Sequence, residues 1–492
     1  MQYLSTRDSA LRVSAQEAIV RGLAPQSGLF VPETFPQADL DAWKNLSYPE
    51  LAEKVLAGFL TDYSADFLHT ATASTYGAAF GGKAGETVKV RDGLYSLELW
   101  HGPTCAFKDM ALQMLPHLLT ASLRKTGETR TACILVATSG DTGKAALDGF
   151  HDVPGTKIMV YYPVDGVSPM QKLQMATQEG ANVEVIAIHG NFDDAQSAVK
   201  RIFTDDETRA QLDRDGMMLS SANSINWGRL APQIAYYVSA YCDMVKAGTI
   251  RQGDRINVCV PTGNFGNILA AYIAKQMGLP VNKFICASNR NNVLTDFFKK
   301  DGEYNRNRDF YTTTSPSMDI LISSNLERLL FFASDFDDRM VAELMAKLNG
   351  EGSYKVASDV FAKIAADFDA GCCDDEHAAE TIHRLWTEEK YLCDTHTAVA
   401  VRVYEDYRAR TGDETPTVIA STASPFKFCR AVIEALGGTL EKDDVTQLDV
   451  LTGLTGVPAP APLAALAGKT PRFDRVVDKA GILSTVALLK DL

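Results

Sequence analysis

From about residue 96 the chain alternates short apolar runs with longer stretches of helical periodicity. TACILVAT (131–138) reads as a buried strand, and TSGDTGKAALDGF turns out of it into a helix. KIMVYYP (157–163) and ANVEVIAI (181–188) are further strands, each preceded by helix-like sequence. RINVCVPTG (255–263) runs into the helical NILAAYIAKQMG (267–278), and FICASN (284–289) follows at the spacing of a β-α-β unit. VIASTAS (418–424) is a late strand. Strands that are apolar throughout have no solvent face. The pattern therefore predicts an α/β fold with parallel sheets covered by helices on both sides.

The flanks read differently. Residues 1–95 are mostly helical and loop, with the turn-rich GLAPQSGLFVPETFP (22–36) in their middle, and form an N-terminal extension to a core at 96–438. Within that core, about 290–390 is polar and helical, an inserted or peripheral region. A C-terminal segment, 439–492, contains the Pro/Ala-rich connector GLTGVPAPAPLAALAG (453–468). No repeat of fixed period is present.

Charge narrows the function classes. Lys and Arg number 48 against 62 Asp and Glu, a net charge of −14 in 492 residues. Such a surface repels nucleic-acid phosphates, and no basic run interleaved with aromatics offsets it. An anionic substrate must then be held by local residues against the global field. The opening MQYLSTRDSA lacks the layout of a secretory signal, and no apolar run approaches the roughly 18–20 residues that cross a bilayer. Nine irregularly spaced cysteines do not describe a disulfide framework. A cytoplasmic protein with reduced thiols and no membrane partner is expected.

Two strand-to-helix turns carry chemistry suited to anions. In PTGNFGN (261–267), Gly263 and Gly266 let the backbone approach a ligand, and the next helix aims its N-terminal amides there. Asn264 and Asn267 add side-chain donors; taken alone, the loop reads equally well as a tight turn that needs glycine. ATSGDTGKAAL (137–147) is not a P-loop, since Thr138 stands where glycine is required and Ala145 follows Lys144. It remains a hydroxyl- and glycine-rich helix start fit for a carboxylate or phosphate. Cys372, Cys373, His377, His383, Cys393 and His396 match no metal-ligand spacing, and neither HExxH nor GxSxG occurs. No metal is expected. Cys105 reads as a small buried apolar residue.

HGPTCAFKDMALQ (101–113) resembles the Schiff-base lysine segment of threonine synthases. ATSGDTG (137–143), SANSINWGRL (221–230), PTGNFGN, HTAVA (396–400) and STASPFKF (421–428) resemble further motifs of that family, in order and spacing. YLSTRD and GLAPQSGLFVPETFP resemble its longer, microbial and fungal type. The resemblance runs from Tyr3 to about Gly438. It implies the fold of the tryptophan-synthase β-subunit group: two parallel-sheet α/β domains with pyridoxal 5′-phosphate between them, plus an N-terminal extension. The implied reaction converts O-phospho-L-homoserine and water to L-threonine and phosphate.

Roles follow from the same resemblance. Lys108 is implied as the Schiff-base lysine and, once freed, the group that moves protons at the α and β carbons. Gly263, Asn264, Phe265, Gly266 and Asn267 are implied to cradle the cofactor phosphate, and Thr422 to face the pyridine nitrogen. Asp141 stands where many relatives have an Asn contacting the ring's 3′-oxygen; a carboxylate there repels a phenolate unless a proton is shared. Asn223, Ser224 and Arg229 match the family's N-S-x-N-x-x-R pattern for the substrate phosphate, Arg supplying a planar charged fork. Thr138 and Ser139 lie on the neighbouring helix start.

Ser424 and Pro425 follow STA where relatives commonly have His-Pro, and Thr395 precedes His396 where they often have Pro. Three other readings stand beside the synthase. A phospho-lyase giving a 2-oxo acid and ammonia needs the same residues. A threonine dehydratase lacks the phosphate cluster around Arg229. A relative that has lost catalysis would not be expected to keep Lys108, the glycine loop and Arg229. Nothing in the sequence fixes the oligomeric state.

Overall fold

The computed structural model describes residues 1–190 and 192–492. Its strands are β1 (Tyr3–Ser5), β2 (Asp8–Val13), β3 (Phe30–Pro32), β4 (Glu86–Arg91), β5 (Leu94–Glu98), β6 (Thr131–Ala137), β7 (Thr156–Pro163) and β8 (Val183–His189). There follow β9 (Met217–Ser220), β10 (Ile256–Pro261), β11 (Val281–Ser288), β12 (Glu303–Asn305), β13 (Ser353–Lys355), β14 (Phe368–Cys372), β15 (Thr417–Ser421) and β16 (Val476–Asp478).

Two parallel sheets carry the fold. One runs β14-β11-β10-β15-β5-β4, parallel except for the antiparallel edge pair β4–β5. The other runs β16-β8-β7-β6-β9 and is parallel throughout. Ile134 pairs with Ile158 and Val136 with Val160, and Val258 pairs with Val418. All these side chains are buried. Helices on both faces account for the unbroken apolar runs in the sequence. The long helix Trp227–Lys246 is buried along most of its length and packs against Gly266–Gln276 and Tyr48–Phe59.

The N-terminal region is mainly helical, as expected, with Tyr48–Phe59 and Ala65–Tyr76 its longest helices. It also holds the antiparallel sheet β2-β1-β3, and β5 from its end lies inside the six-stranded sheet. The 290–390 region is helical for most of its length, yet it supplies the hairpin β12–β13 and the edge strand β14. The C-terminal segment is no loose tail. β16 extends the five-stranded sheet beside β8, and Ile482, Val486 and Leu489 are buried with Ile186 and Ile188. Among the described residues, no helix is long and apolar enough to cross a membrane.

Candidate active site

A cavity of about 1290 Å³ opens where β6, β10 and β15 end, lined there by Ala137–Ser139, Pro261–Asn267 and Thr422. Crevices at the carboxyl ends of parallel strands are where open α/β sheets bind ligands. Lys108, Asn223, Ser224 and Arg229 line the same cavity. Asp141 is not part of its wall; it touches Lys108 from behind.

Lys108 sits in a turn fastened at both ends. The Asp109 carboxylate accepts bonds from the Thr104 N–H at 2.8 Å and the Thr104 hydroxyl at 2.5 Å. A Cβ on Gly102 would meet Asp109 Oδ2 at 2.6 Å, so only glycine fits beneath this turn. The Phe107 N–H donates to the Thr422 carbonyl at 2.8 Å, and Ala106 bridges to Ala423. Lys108 Nζ is buried, 3.5 Å from Asp141 Oδ2 and 3.3 Å from Ser317 Oγ. Burial brings its pKa down to about 8; Asp141 opposes this, while Arg229 and Lys427 reinforce it. A free amine is thereby accessible near neutral pH.

Asp141 does not meet its surroundings as a bare carboxylate. Its Oδ1 lies 2.7 Å from Lys427 Nζ and accepts from Gln171 Nε2 at 2.8 Å. Burial alone would raise this carboxyl, but Lys427 and Lys108 outweigh burial and hold it well below the usual range.

The glycine loop has the shape of a phosphate cradle. Phe265 takes a left-handed conformation (φ 64°), and no side chain caps the helix Gly266–Gln276 that it starts. The first-turn N–H groups therefore lack a side-chain acceptor. A Cβ on Gly263 would stand 2.6 Å from the Ser317 carbonyl oxygen. Ser323 Oγ donates to the Gly263 carbonyl at 2.7 Å, and Asn325 donates to the Asn264 carbonyl through both its N–H and Nδ2. Asn267 Oδ1 accepts from Tyr236 and Tyr237, both at 2.6 Å, while its Nδ2 is buried without a partner. A nucleophilic amine, an uncapped helix, an orphaned amide donor and the Thr422 hydroxyl together fit pyridoxal 5′-phosphate.

Arg229 lies in the first turn of Trp227–Lys246, which Asn226 caps through the Gly228 N–H at 2.9 Å. The guanidinium is buried; Nη1 donates to the Ala222 carbonyl at 2.9 Å and Nε has no partner. Burial lowers its pKa to about 10. Among the described residues no carboxylate pairs with it. Ser224 Oγ accepts from Asn325 Nδ2 at 3.1 Å, so Asn325 joins the Ser224 loop to the glycine loop. Beneath them the fully buried Arg328 binds the carbonyls of Ser224, Ile225 and Phe30. Thr138 also shapes its own loop, since its Oγ1 accepts the Gly140 and Gly143 N–H groups at 2.9 and 2.8 Å. Ser139 lines the cavity beside it.

Three residues of the site carried no individual assignment in the sequence. Ser317 bonds Lys108, and its N–H donates to His396 Nε2 at 3.2 Å. Asp394 is 2.7 Å from His396 Nδ1, which directs the ring proton to that side. Lys427 holds Asp141. Asp394 directly precedes the Thr395–His396 pair and Lys427 lies inside STASPFKF, but Ser317 follows a loop without any period. His101 stands apart from the cavity, 2.7 Å from Glu98 and 3.4 Å from Glu86.

Comparison with known proteins covers the whole chain. Family models described as threonine synthase N terminus, pyridoxal-phosphate dependent enzyme, and threonine synthase C-terminal match residues 2–76, 84–422 and 397–485. Threonine synthase of Pseudomonas aeruginosa is 38% identical, over 88% of this chain and 90% of that protein. Human threonine synthase-like 1 is 41% identical over 88% of this chain, which spans only 60% of that relative's length. The crystal structure of PLP-bound threonine synthase from Brucella melitensis superposes with a TM-score of 0.87 at 35% identity, covering 100% of this chain and 99% of that one.

Proposed function

The chain belongs to the threonine synthase family of pyridoxal-phosphate-dependent enzymes, and on that premise we propose that it converts O-phospho-L-homoserine and water to L-threonine and phosphate. The observation that carries this reading is Arg229. A permanent cation, buried beside the Lys108 cavity with an unpaired N–H and, among the described residues, no carboxylate partner, calls for an anionic ligand.

When bound, pyridoxal 5′-phosphate supplies a sink for the negative charge that develops next to the substrate's amino carbon. Lys108 would hold that group, and its free amine, whose pKa burial brings down to about 8, could take up or give a proton at the α and β carbons near neutrality. Gly263, Asn264, Phe265, Gly266 and Asn267 would hold the cofactor phosphate through backbone amides and the unpartnered Asn267 amide. Thr422, on the cavity wall, would offer its hydroxyl to the pyridine nitrogen, whereas Asp141 would act on that group only through Lys108, 3.5 Å away. Arg229, Asn223 and Ser224 bind the substrate phosphate, with Thr138 and Ser139 closing the adjacent helix start. Holding the phosphate there fixes the γ-carbon from which it leaves. A cytoplasmic location fits the nine free cysteines, of which only Cys372 is exposed.

The test is product analysis of the cofactor-loaded protein with O-phosphohomoserine. Threonine and phosphate should appear in equal amounts. A 2-oxo acid with ammonia in place of threonine would establish the phospho-lyase instead.

A further inference from the structure

Asp141 stands between two buried lysines. Lys427 Nζ is 2.7 Å from one carboxylate oxygen and Lys108 Nζ 3.5 Å from the other. Lys427 comes from the turn Pro425–Phe428 that follows β15, while Asp141 opens the helix Asp141–Phe150 that follows β6. The ion pair thus ties the two sheets together behind the nucleophile. Lys427 is 1% exposed, donates a second bond to the Thr104 carbonyl at 2.9 Å, and does not line the cavity. It reaches neither solvent nor substrate. A buried charge with no surface to serve acts through its partner.

We propose that Lys427 is a positioning residue that keeps Asp141 ionised and already paired, so that Asp141 orients the Lys108 amine without retaining its proton. This inference rests on the reading of Lys108 as the cofactor-binding lysine.

Charge counting gives the reason. With Lys427 present, two ammonium groups share one carboxylate, and loss of the Lys108 proton leaves a neutral pair. Without Lys427, the neutral pair is Lys108 with Asp141, and loss of the proton leaves a bare carboxylate in a water-poor interior. The first change is favoured by burial and the second opposed. The other groups facing this cluster do not replace Lys427. Arg229 lines the same cavity as Lys108 and disfavours its ammonium. Asp109, beside Lys427, is pushed up to about 7 by burial and is only about half ionised at neutrality, and both its carboxylate oxygens are taken by Thr104 rather than by Lys108 or Asp141. Lys144 is matched by Asp148 at 3.5 Å, and burial pushes the Cys105 thiol up to about 12. His396 is bonded to Asp394 and reaches Lys108 only by way of Ser317.

Competitive acetylation of the full-length chain, freed of cofactor, reads the pH at which Lys108 becomes nucleophilic by peptide mass spectrometry. Lys427→Met should raise that midpoint by about one pH unit or more, the size of effect an opposite charge exerts at this range. Lys427→Gln, which keeps a donor for Thr104 and Asp141, should do the same and serves if the methionine variant does not fold. Lys427→Met combined with Asp141→Asn should bring the midpoint back to wild type or below, which structural damage would not do. The pH profile of kcat in the loaded enzyme should move in parallel. An unmoved midpoint in the single variants, or a midpoint still raised in the double variant, overturns the proposal. Borohydride reduction of the wild-type enzyme separates the two readings: a pyridoxyl label absent from Lys108 sinks the assignment of that lysine, whereas a label on Lys108 with unmoved midpoints sinks only the role of Lys427.

Discussion

Replacing Arg229 by methionine should change stability and activity in opposite directions. Without substrate the guanidinium is 5% exposed, has one bond to the Ala222 carbonyl and leaves Nε unpaired. It also lies in the first turn of a helix, whose positive end disfavours a cation. The effective penalty for a buried ion without a counter-charge is several kcal/mol. Methionine keeps the stem's packing and removes that penalty, at the loss of one hydrogen bond worth about 1 kcal/mol. At about 2–4 °C per kcal/mol for a domain of 150–250 residues, Tm of the substrate-free variant should rise by several degrees. With the phosphate bound the balance reverses. Removing one partner of a buried ion pair costs about 3–5 kcal/mol, so kcat/KM for O-phosphohomoserine should fall by about two to nearly four orders of magnitude. Arg229→Lys should recover part of this, since an ammonium cannot reproduce the planar fork. Thermal denaturation with and without inorganic phosphate, alongside steady-state kinetics, measures both effects. A methionine variant that melts lower without ligand, or that turns over phosphohomoserine like wild type, would refute the assignment of Arg229 as an anion receptor.

Thr422→Asp should leave the cofactor bound but lower turnover, because a carboxylate at the ring nitrogen favours its protonation and changes which substrate carbon is protonated; unchanged kinetics would place Thr422 elsewhere. Gly263→Ala should weaken cofactor binding, measured by equilibrium dialysis, since its methyl would stand 2.6 Å from the Ser317 carbonyl oxygen. Undiminished affinity would mean the loop can give way there. Burial pushes Asp109 from a reference of 3.8 up to about 7, so the folded chain should keep a proton that the unfolded chain releases, and stability should fall as pH rises through that window. The Tm of Asp109→Asn, relative to wild type, should therefore improve from about pH 4 to pH 7 and level off above it; a gap independent of pH counts against a raised Asp109.

What the sequence made legible was whatever had a local signature. β6, β7, β8, β10, β11 and β15 all fall on the apolar runs, because a strand buried on both faces writes its burial into consecutive residues. β1 and β3 have three residues each and pair Tyr3 with Pro32, too short and too distant for any period to show. β14 reads FDAGC, an edge strand with Asp and Gly where an interior strand would be apolar. The motifs singled out Lys108, the glycine loop and Arg229, which the fold brings to one cavity. Ser317 and the Lys427–Asp141 pair were not singled out, since a cation 286 positions from its carboxylate leaves no trace in spacing.

The order of strands has a consequence in time. β5 lies between β4 and β15, and all five of its residues are buried in the finished sheet. Its partner β15 is synthesised about 320 residues later, a wait of roughly 16–64 s at 5–20 residues per second. Until then the β4–β5 hairpin exposes a hydrogen-bonding edge on the nascent chain, open to pairing with any other extended segment. Lys108 shares the delay, because the turn that carries it is fastened to the Thr422 carbonyl and to Ala423. Lys108 leaves the ribosome early and is set in place only when the last sixth of the chain arrives. A chain cut short before residue 417 would carry the whole of HGPTCAFKDMALQ and still lack the strand that aims its lysine.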